Sequence, residues 1–345
     1  MAKVNAQCDR IGVSSKWPSR ETIIKKIRKL EESWQRMPRS SMQIDIDSIS
    51  DYVTRADALP EREIPNKVNA TKNTAESLAG VQLRTILATA HLDDAWLDKL
   101  AKWARYYEIG VRQSFFWSYW FDNILTPSRS NRNWRNFDLK TCAEMLGVLS
   151  ILGWKDAVIY QGYLAHAALN NTYQLKLQYE SEHRRAQAFM LRLFASWVGD
   201  ADHAWPAYAY DEPIYEALLQ HWRTPDPAAL VPCLLAACDR HTHQAGRDTL
   251  TKFYDFSTEW DLGRVPVEIL LLFRLREWEG LANPLLDHPL MAAPYHQLPA
   301  PQPVPPLDEL MQGVVKRANE DWPGVYEEVL SLASLKASAT QKGRI

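Results

Sequence analysis

Two pairs of side chains in the second part of the chain have the types and the spacing to do chemistry. Asp255 and Glu259 lie four residues apart, so on a helix they share one face. Paired carboxylates of this kind bind divalent cations or act as a general acid and base. His241 and His243 lie a short distance upstream and would add imidazole groups. One alternative that the sequence leaves open is therefore a metal-dependent helical enzyme that uses these four residues.

The other parts of a catalytic or metal site are missing from the sequence. Cys233 and Cys238 precede the histidines, but five residues turn a helix by about 140°, so the two thiols do not face one site. The chain has no G-x-S-x-G motif, no H-E-x-x-H motif and no glycine-rich phosphate loop. Glycine is scarce, at 13 of 345 residues, which disfavours such loops. We therefore predict a protein that is not an enzyme and that holds no metal or cofactor.

The charges are divided unevenly along the chain. Residues 1–199 hold 28 lysines and arginines against 21 aspartates and glutamates, whereas residues 200–345 hold 12 against 21. The net charge of -2 therefore hides an excess of +7 in the first part and of -9 in the second. Such an asymmetry predicts the charge of a partner rather than a fold. We expect the acidic part to meet something basic.

The acidic part contains two short stretches in which aromatic side chains lie beside carboxylates. Aromatic side chains are frequent anchors of protein interfaces, and carboxylates around them complement a basic partner. A solvated acidic helix face is the simpler alternative for the second stretch. The residues that we predict to contact a partner are Tyr208, Tyr210, Asp211, Glu212, Tyr254, Asp255, Glu259, Trp260 and Asp261.

Helical periodicity must position these residues. Apolar side chains recur at spacings of three and four along most of the chain, and no alternating strand pattern of any length occurs. We predict an all-α fold, a multi-helix bundle in two packed helical halves that meet after residue 199. The predicted segments are N-terminal helices with a polar linker (1–74), a helical module (75–200), a C-terminal helical module (201–292), and a proline-rich connector with terminal helices (293–345).

Two segments are apolar or aromatic on every face and are predicted to be buried. The segment Val267–Trp278 should form the central helix of the C-terminal half. Glu268 lies within it, and since a buried carboxylate is costly unless it is paired, we expect a basic or backbone partner for it. The segment Phe115–Phe121 is aromatic all round, and large aromatic side chains of this kind belong in a core.

The region around the predicted central helix resembles a known family. From Val265 to Met291 the chain has an apolar helix with an early glutamate, a short loop, and an Asp-x-Pro-Leu stretch that begins at Asp287. This pattern resembles the C-terminal helical module of bacterial immunity proteins of the PoNi type, which neutralise polymorphic toxins, including effectors of type VI secretion systems. The resemblance implies a helical protein that binds its cognate toxin and has no active site, with a structural role for Glu268.

The sequence also predicts a compartment. No apolar stretch reaches the roughly 18–20 residues that span a membrane, and the N-terminus has no signal-peptide pattern. The four cysteines, Cys8, Cys142, Cys233 and Cys238, fit a reducing compartment in which they stay free thiols. We therefore expect a cytoplasmic protein that makes no contact with a membrane.

Charge, the missing catalytic motifs and the resemblance together predict an immunity protein. It would occlude the active site of a cognate toxin, which we expect to be a basic, nuclease-like effector. We predict no direct contact with nucleic acid, and we leave a homodimer open. The remaining alternative is a nucleic-acid-associated helical protein, which would use the basic first part and a loop that holds Arg129, Arg132, Trp134 and Arg135.

Overall fold

The fold of the chain is given by a computed structural model. The structure describes residues 8–17, 40–57, 95–120, 139–172, 184–245 (except 202 and 204), 255–256 and 264–340, with scattered residues between 19 and 67. In this part of the chain the regular structure consists of eleven α-helices, short 3₁₀ turns and one π-helical turn, and it includes no strand. The prediction of an all-α bundle is confirmed.

The helices follow one another in a simple order. The α-helices are α1 (Ser40–Thr54), α2 (Ala95–Trp120), α3 (Leu139–Ile151), α4 (Lys155–Ala167), α5 (Arg185–Val198), α6 (Pro213–His221), α7 (Val231–Gln244), α8 (Val267–Trp278), α9 (Glu309–Asp321), α10 (Val325–Val329) and α11 (Leu332–Thr340). A π-helical turn continues α4 (Ala168–Thr172), and 3₁₀ turns precede α6 (Ala207–Tyr210), precede α7 (Pro227–Leu230) and follow α8 (Pro289–Met291).

The ends of these helices follow local signals in the sequence. α3 and α5 are each followed by a glycine in the left-handed region, Gly153 with φ 71° and Gly199 with φ 80°. α9 begins after Asp308, whose carboxylate accepts a hydrogen bond from the Met311 backbone N–H at 3.0 Å. α6 and α7 carry proline in the first turn, where the missing N–H would have had no helical partner. These ends set the short connections that bring the helices together.

One hydrophobic core joins early and late parts of the chain. α3 packs against α2, α4 and α8, and it also contacts α5. The core contains side chains from Trp96 on α2 to Ala339 on α11. Helices far apart in sequence also pair directly, α4 with α11 and α1 with α9. Side chains on both sides of residue 200 therefore contribute to this core, and Ala201 is one of its members.

The aromatic end of α2 is buried at Phe115, Phe116 and Trp117, as predicted, whereas Tyr119 and Trp120 are half-buried and Phe121 lies outside the described residues. Phe115 and Phe116 lie in the main core, whereas Trp117 belongs to a second cluster between α1, α2 and α9. Phe116 packs against Trp322 and Tyr326, with 4.9 Å between the ring centroids in each case. Because both sides of α2 are covered, aromatic residues can occupy every face of its last turns.

α2 is also the longest described helix, with 26 residues. Neither it nor any other helix in the described part of the chain is both long enough and apolar enough to cross a membrane.

α8 is the central helix that the sequence predicted. Every residue from Val267 to Arg276 is buried. Arg274 lies among them and donates to three backbone carbonyl oxygens at the end of α3 and in the proline-rich connector: Ser150 at 2.8 Å, Ile151 at 3.2 Å and Pro299 at 2.6 Å. The last carbonyl groups of a helix have no partner within the helix, so a buried guanidinium satisfies them.

Arg276 likewise donates to backbone carbonyl oxygens, in this case after α6 and after α8. Its side chain is fully buried and donates to the carbonyl oxygen of Trp222, to that of Thr224 at 3.0 Å, and to that of Ala282 at 2.5 Å. Burial lowers the pKa of this guanidinium below its ordinary value. The carbonyl dipoles therefore stabilise a charge that has no ion-pair partner among the described residues.

The proline-rich connector lies against the turn between α3 and α4. The backbone N–H of Gln302 donates to the Leu152 carbonyl at 2.8 Å, and its own carbonyl accepts from the Trp154 indole N–H at 2.8 Å. At Gly153, a Cβ atom would lie 2.8 Å from Pro301, so the backbones approach too closely for a side chain. The connector is thus held in an extended form by its own backbone groups.

Two of the four cysteines are not free thiols. Cys8 and Cys233 form a disulfide that joins the N-terminal segment to α7, 225 residues further along the chain. Cys142 and Cys238 are buried and are not part of a disulfide. The expectation of four reduced cysteines is therefore wrong for the first pair, because their contact depends on the fold and not on spacing. Disulfides persist in oxidising compartments, so this bond counts against the cytoplasmic prediction.

Arg276→Lys is expected to lower the free energy of unfolding by about 3 kcal/mol. Lysine cannot reach three divergent carbonyl oxygens with one planar group, so buried acceptors lose their partners. Arg223→Lys is the matched control, because Arg223 also donates to carbonyl oxygens, those of Ser196 and Trp197, but from the surface. Chemical denaturation of both variants measures the difference, and an equal loss in the two would contradict the importance of burial.

Candidate functional site

The predicted contact residues that the structure describes lie around α6 and α7. Tyr254, Glu259, Trp260 and Asp261 lie outside the described residues. The other five are Tyr208, Tyr210, Asp211, Glu212 and Asp255. Four of these are consecutive or nearly so, on the 3₁₀ turn before α6 and at the start of α6.

The two tyrosines of the 3₁₀ turn point in opposite directions. Tyr208 is buried in a small cluster with Ala188 of α5, so it is not available to a partner. Tyr210 is 49% exposed, and the Arg192 guanidinium lies over its ring, 4.2 Å from the ring centroid. The turn therefore presents one aromatic side chain to solvent and uses the other to attach itself to α5. The prediction of Tyr208 as a contact residue is corrected by its burial.

Asp211 and Glu212 are both paired with arginines. The Asp211 carboxylate lies 3.3 Å from Nη2 of Arg185 on α5, and its side chain is 54% exposed. The Glu212 carboxylate accepts a hydrogen bond from Nε of Arg240 on α7 at 2.5 Å, and its side chain is mostly buried. Asp211 can therefore contact a partner, whereas Glu212 is already engaged within the fold.

Asp255 is completely buried, so it cannot contact a partner. Its carboxylate forms an ion pair with Arg240, and its backbone carbonyl accepts a hydrogen bond from the Gln187 side chain on α5. Burial opposes the charge of Arg240, but the carboxylates of Asp255 and Glu212 raise the pKa of the guanidinium above its ordinary value. Asp255 is thus a partner of Arg240 and not the acidic surface residue that the sequence suggested.

Part of the charge asymmetry is neutralised inside the molecule. Three arginines of the basic first part pair with carboxylates of the acidic second part: Arg10 with Asp239, Arg185 with Asp211, and Arg192 with Glu216. The uneven charges of the sequence therefore attract the two parts to each other as well as to any partner.

Glu268 has the basic partner that the sequence required. The Nδ1–H of His241 on α7 donates to its carboxylate at 2.8 Å, and both side chains are fully buried. The His241 ring also stacks on Phe256, with 3.8 Å between the centroids. This contact attaches α7 to α8 in the interior, where a carboxylate without a partner would destabilise the fold.

Asp239, the residue before Arg240, is at the centre of a second group of buried hydrogen bonds. The Asp239 carboxylate accepts hydrogen bonds from Arg10, from the Gly12 backbone N–H at 3.0 Å, and from Nε2 of His288 at 3.1 Å. His288 accepts a hydrogen bond at Nδ1 from the Leu290 N–H at 3.0 Å, so its proton lies on Nε2. Burial lowers the pKa of His288 and keeps the ring neutral at pH 7.

Several buried oxygen atoms near Arg240 have no hydrogen-bond partner among the residues that the structure describes. They belong to Tyr215, Gln187, Asp255 and Glu268. Burial raises the pKa of the Tyr215 phenol, and the charges of Arg240, Glu268, Asp255 and Glu212 also act on it.

The metal-dependent alternative receives no support from the geometry. His241 is engaged with Glu268, and Nε2 of His243 donates to the Gly12 carbonyl at 3.0 Å. Cys233 is in the disulfide, and burial raises the pKa of the Cys238 thiol. In the part of the chain that the structure describes, no group of three or more His, Cys, Asp or Glu side chains is arranged to hold a metal ion.

The sequence analysis did not find the central members of this network, Asp239, Arg240 and His288. One signal was present, because Asp239-Arg240-His241 places three polar residues in succession on a helix whose preceding turns are apolar. Polar residues on every face of such a helix indicate buried partners, as Glu268 did on α8. Arg10, the partner of Asp239, lies in a segment that has no comparable sequence signal. The arginine-rich loop Arg129–Arg135 of the nucleic-acid alternative lies outside the described residues.

No family model, curated protein or solved structure matches this chain. The likeness to PoNi-type immunity proteins therefore stays a hypothesis, and the function is argued from the chain's own surface.

Asp239→Asn is expected to flatten the acid dependence of stability. Burial alone would raise the pKa of Asp239, but hydrogen bonds from Arg10 and His288 outweigh it and hold the pKa below 3.8. A lowered carboxylate pKa adds stability above pH 3.8, and that stability is lost as the pH falls through the folded-state value. At pH 7 the variant should be less stable by about 1–3 kcal/mol.

Denaturation curves between pH 7 and about pH 3 measure this effect, since that interval covers the titration of a carboxylate. Asp287→Asn is the control, because Asp287 is exposed. It should leave both the stability at pH 7 and the acid dependence close to those of the native chain. Parallel curves for the native chain and Asp239→Asn would refute the assigned role of Asp239.

Proposed function

We propose that the chain is an immunity protein that binds a basic toxin and blocks its active site. The observation that carries this proposal is the sign of the exposed charges in the second part of the chain. In the described portion of residues 201–340, two lysine or arginine side chains are exposed, Arg223 and Lys316. Ten carboxylates are exposed there: Asp211, Asp226, Glu277, Glu279, Asp287, Asp308, Glu309, Glu320, Glu327 and Glu328.

Four of the ten lie beside a cation: Asp211 with Arg185, Glu277 with Arg274, Glu279 with Arg223, and Glu320 with Lys316 and Arg317. The other six still exceed the two exposed cations: Asp226, Asp287, Asp308, Glu309, Glu327 and Glu328. Asp239 and Asp255 are buried in ion pairs with Arg10 and Arg240, so their charges contribute little to the field outside the molecule. The exposed carboxylates face solvent, where they attract a positively charged partner and raise the rate of association. Toxins that hold nucleic acid carry such positive surfaces, which supports a nuclease-like effector as the partner.

Charge alone does not hold a complex together, and Tyr210 supplies an aromatic anchor. Among the residues that the structure describes, it is the only aromatic side chain in the exposed class. Arg192 lies over one face of its ring and Asp211 follows it directly, so the ring is already ordered before binding. An ordered aromatic side chain loses little entropy when it enters a pocket, which is typical of interface hot spots.

Tyr210→Ala is expected to weaken toxin binding by at least tenfold, since a central aromatic anchor contributes about 2 kcal/mol or more. The fold should be unchanged, because the ring is half exposed and lies outside the hydrophobic clusters. The measurement is the dissociation constant for the product of the neighbouring gene, together with growth when the two are co-expressed. Lys316→Ala is the control and should bind at least as tightly, because it removes a positive charge facing a basic partner.

The dependence on salt gives a second readout for the same complex. Steering by exposed carboxylates is screened at high ionic strength, so the association rate should fall as salt is added, and the dissociation rate should change less. If the chain forms no complex with the neighbouring product and gives no protection in co-expression, the proposed function is wrong.

A further inference from the structure

The N-terminal segment Cys8–Trp17, here called the strap, lies along α7. Cys8 is bonded to Cys233 at the start of this helix, and both residues are buried. Further along, Arg10 pairs with Asp239 in the middle of the helix. The strap therefore crosses two turns of α7 and covers the side chains that lie beneath it.

Backbone groups of the strap complete its attachment. The Ser14 N–H donates to Oγ1 of Thr242 at 3.1 Å, and the Gly12 carbonyl accepts from Nε2 of His243 at 3.0 Å. Gly12 has φ 77°, so the chain turns here in a conformation that other residues rarely adopt. Each of these contacts is polar, and each joins the strap to the C-terminal half of α7.

Hydrophobic burial contributes little to the middle of the strap. Ile11 is 62% exposed and Val13 is 42% exposed, so two apolar side chains point to solvent. Arg10 itself is 42% exposed, which leaves its ion pair open to water and salt.

At the other end of the strap, Trp17 packs partly buried against the core, with the Arg264 guanidinium 4.0 Å from its ring centroid. The Ser14 bond to Thr242 is buried, but the other polar contacts of the strap are partly exposed, and together they only partly balance the large entropy cost of ordering ten residues. The disulfide balances it, because it keeps one end of the strap at its binding site.

We propose that the Cys8–Cys233 bond is a reversible thiol–disulfide site that controls whether the strap covers α7. In the oxidised chain the strap is bound and Asp239 is neutralised by Arg10. In the reduced chain the strap detaches, and the carboxylate of Asp239 becomes accessible beside His288. Oxidation state would then set how much negative charge α7 presents to solvent. This inference does not depend on the proposed function.

The exchange needs a dithiol reductant, which supplies two electrons and two protons. Because both cysteines are buried, the N-terminal end of the strap must first open transiently. A thiolate of the reductant then attacks one sulfur of the Cys8–Cys233 bond, which breaks and leaves the other sulfur as a thiolate that takes up a proton. The second thiolate of the reductant then attacks the mixed disulfide. The chain is left with two thiols, and the reductant leaves as its own disulfide. Cys142 and Cys238 take no part in the exchange and keep their thiol groups in both states.

The test compares the full-length chain before and after reduction. Thiol titration in denaturant should find two thiols in protein purified without reductant, and four after treatment with dithiothreitol. Tryptic cleavage after Arg10 and Lys16 should become at least tenfold faster on reduction, and amide exchange at Gly12 and Ser14 should accelerate similarly. Reoxidation should restore protection, and far-ultraviolet circular dichroism should show unchanged helix content throughout.

Two variants separate this effect from a general loss of structure. Cys8→Ser should be cleaved in the strap as quickly as the reduced chain and should not respond to dithiothreitol. Cys142→Ser is the matched control, a buried cysteine outside the disulfide, and should keep the full redox response.

Three outcomes would overturn the proposal. Equal strap protection in the oxidised and reduced chains would show that the polar contacts suffice. Loss of helix content on reduction would make the disulfide a structural cross-link rather than a control of the strap. Four thiols in protein purified without reductant would show that the bond does not form. None of these outcomes bears on toxin binding through Tyr210, which is measured separately.

Discussion

The fold depends on charges that α8 carries into the hydrophobic core. A buried guanidinium is tolerated only where oxygen atoms surround it, and backbone carbonyls provide them here. Arg274 donates hydrogen bonds to carbonyl oxygens at the end of α3 and in the proline-rich connector. Arg276 donates to carbonyl oxygens after α6 and in the loop after α8. These four stretches of backbone are therefore fixed relative to α8. Glu268, another buried charged residue of α8, connects this helix to α7 through its hydrogen bond with His241.

α7 then determines which polar groups face inward and which remain outside. Its successive residues Asp239, Arg240 and His241 point to different neighbours, which are the strap, α6 and α8. All three are buried and paired. Because of these pairings, this part of α7 belongs to the interior of the protein, beneath the acidic surface. The pairings also explain why Asp255, which looked like a surface residue in sequence, is held inside by Arg240.

What the sequence could predict depended on the range of the interaction. The burial of α8 and the need of Glu268 for a partner follow from neighbours a few residues away, and both are confirmed. The alternation of Tyr208 and Tyr210 between core and solvent arises in a 3₁₀ turn, whose packing on α5 local composition does not reveal. The disulfide joins residues 225 positions apart, and no local pattern encodes a contact of that kind. Four of the predicted contact residues lie outside the described chain and stay predictions.

The charges that make up the asymmetry are of two kinds, those that pair within the fold and those that face solvent. A total of charges along the sequence counts side chains that neutralise one another in the fold, such as Arg192 with Glu216, together with those that face solvent. The first kind stabilises the contact between the two parts of the chain and has little effect at a distance, since paired charges cancel. The second kind is what an approaching protein encounters. In this chain it is strongly acidic across the described part of residues 201–340, so the attraction for a basic partner rests on exposure and not on composition.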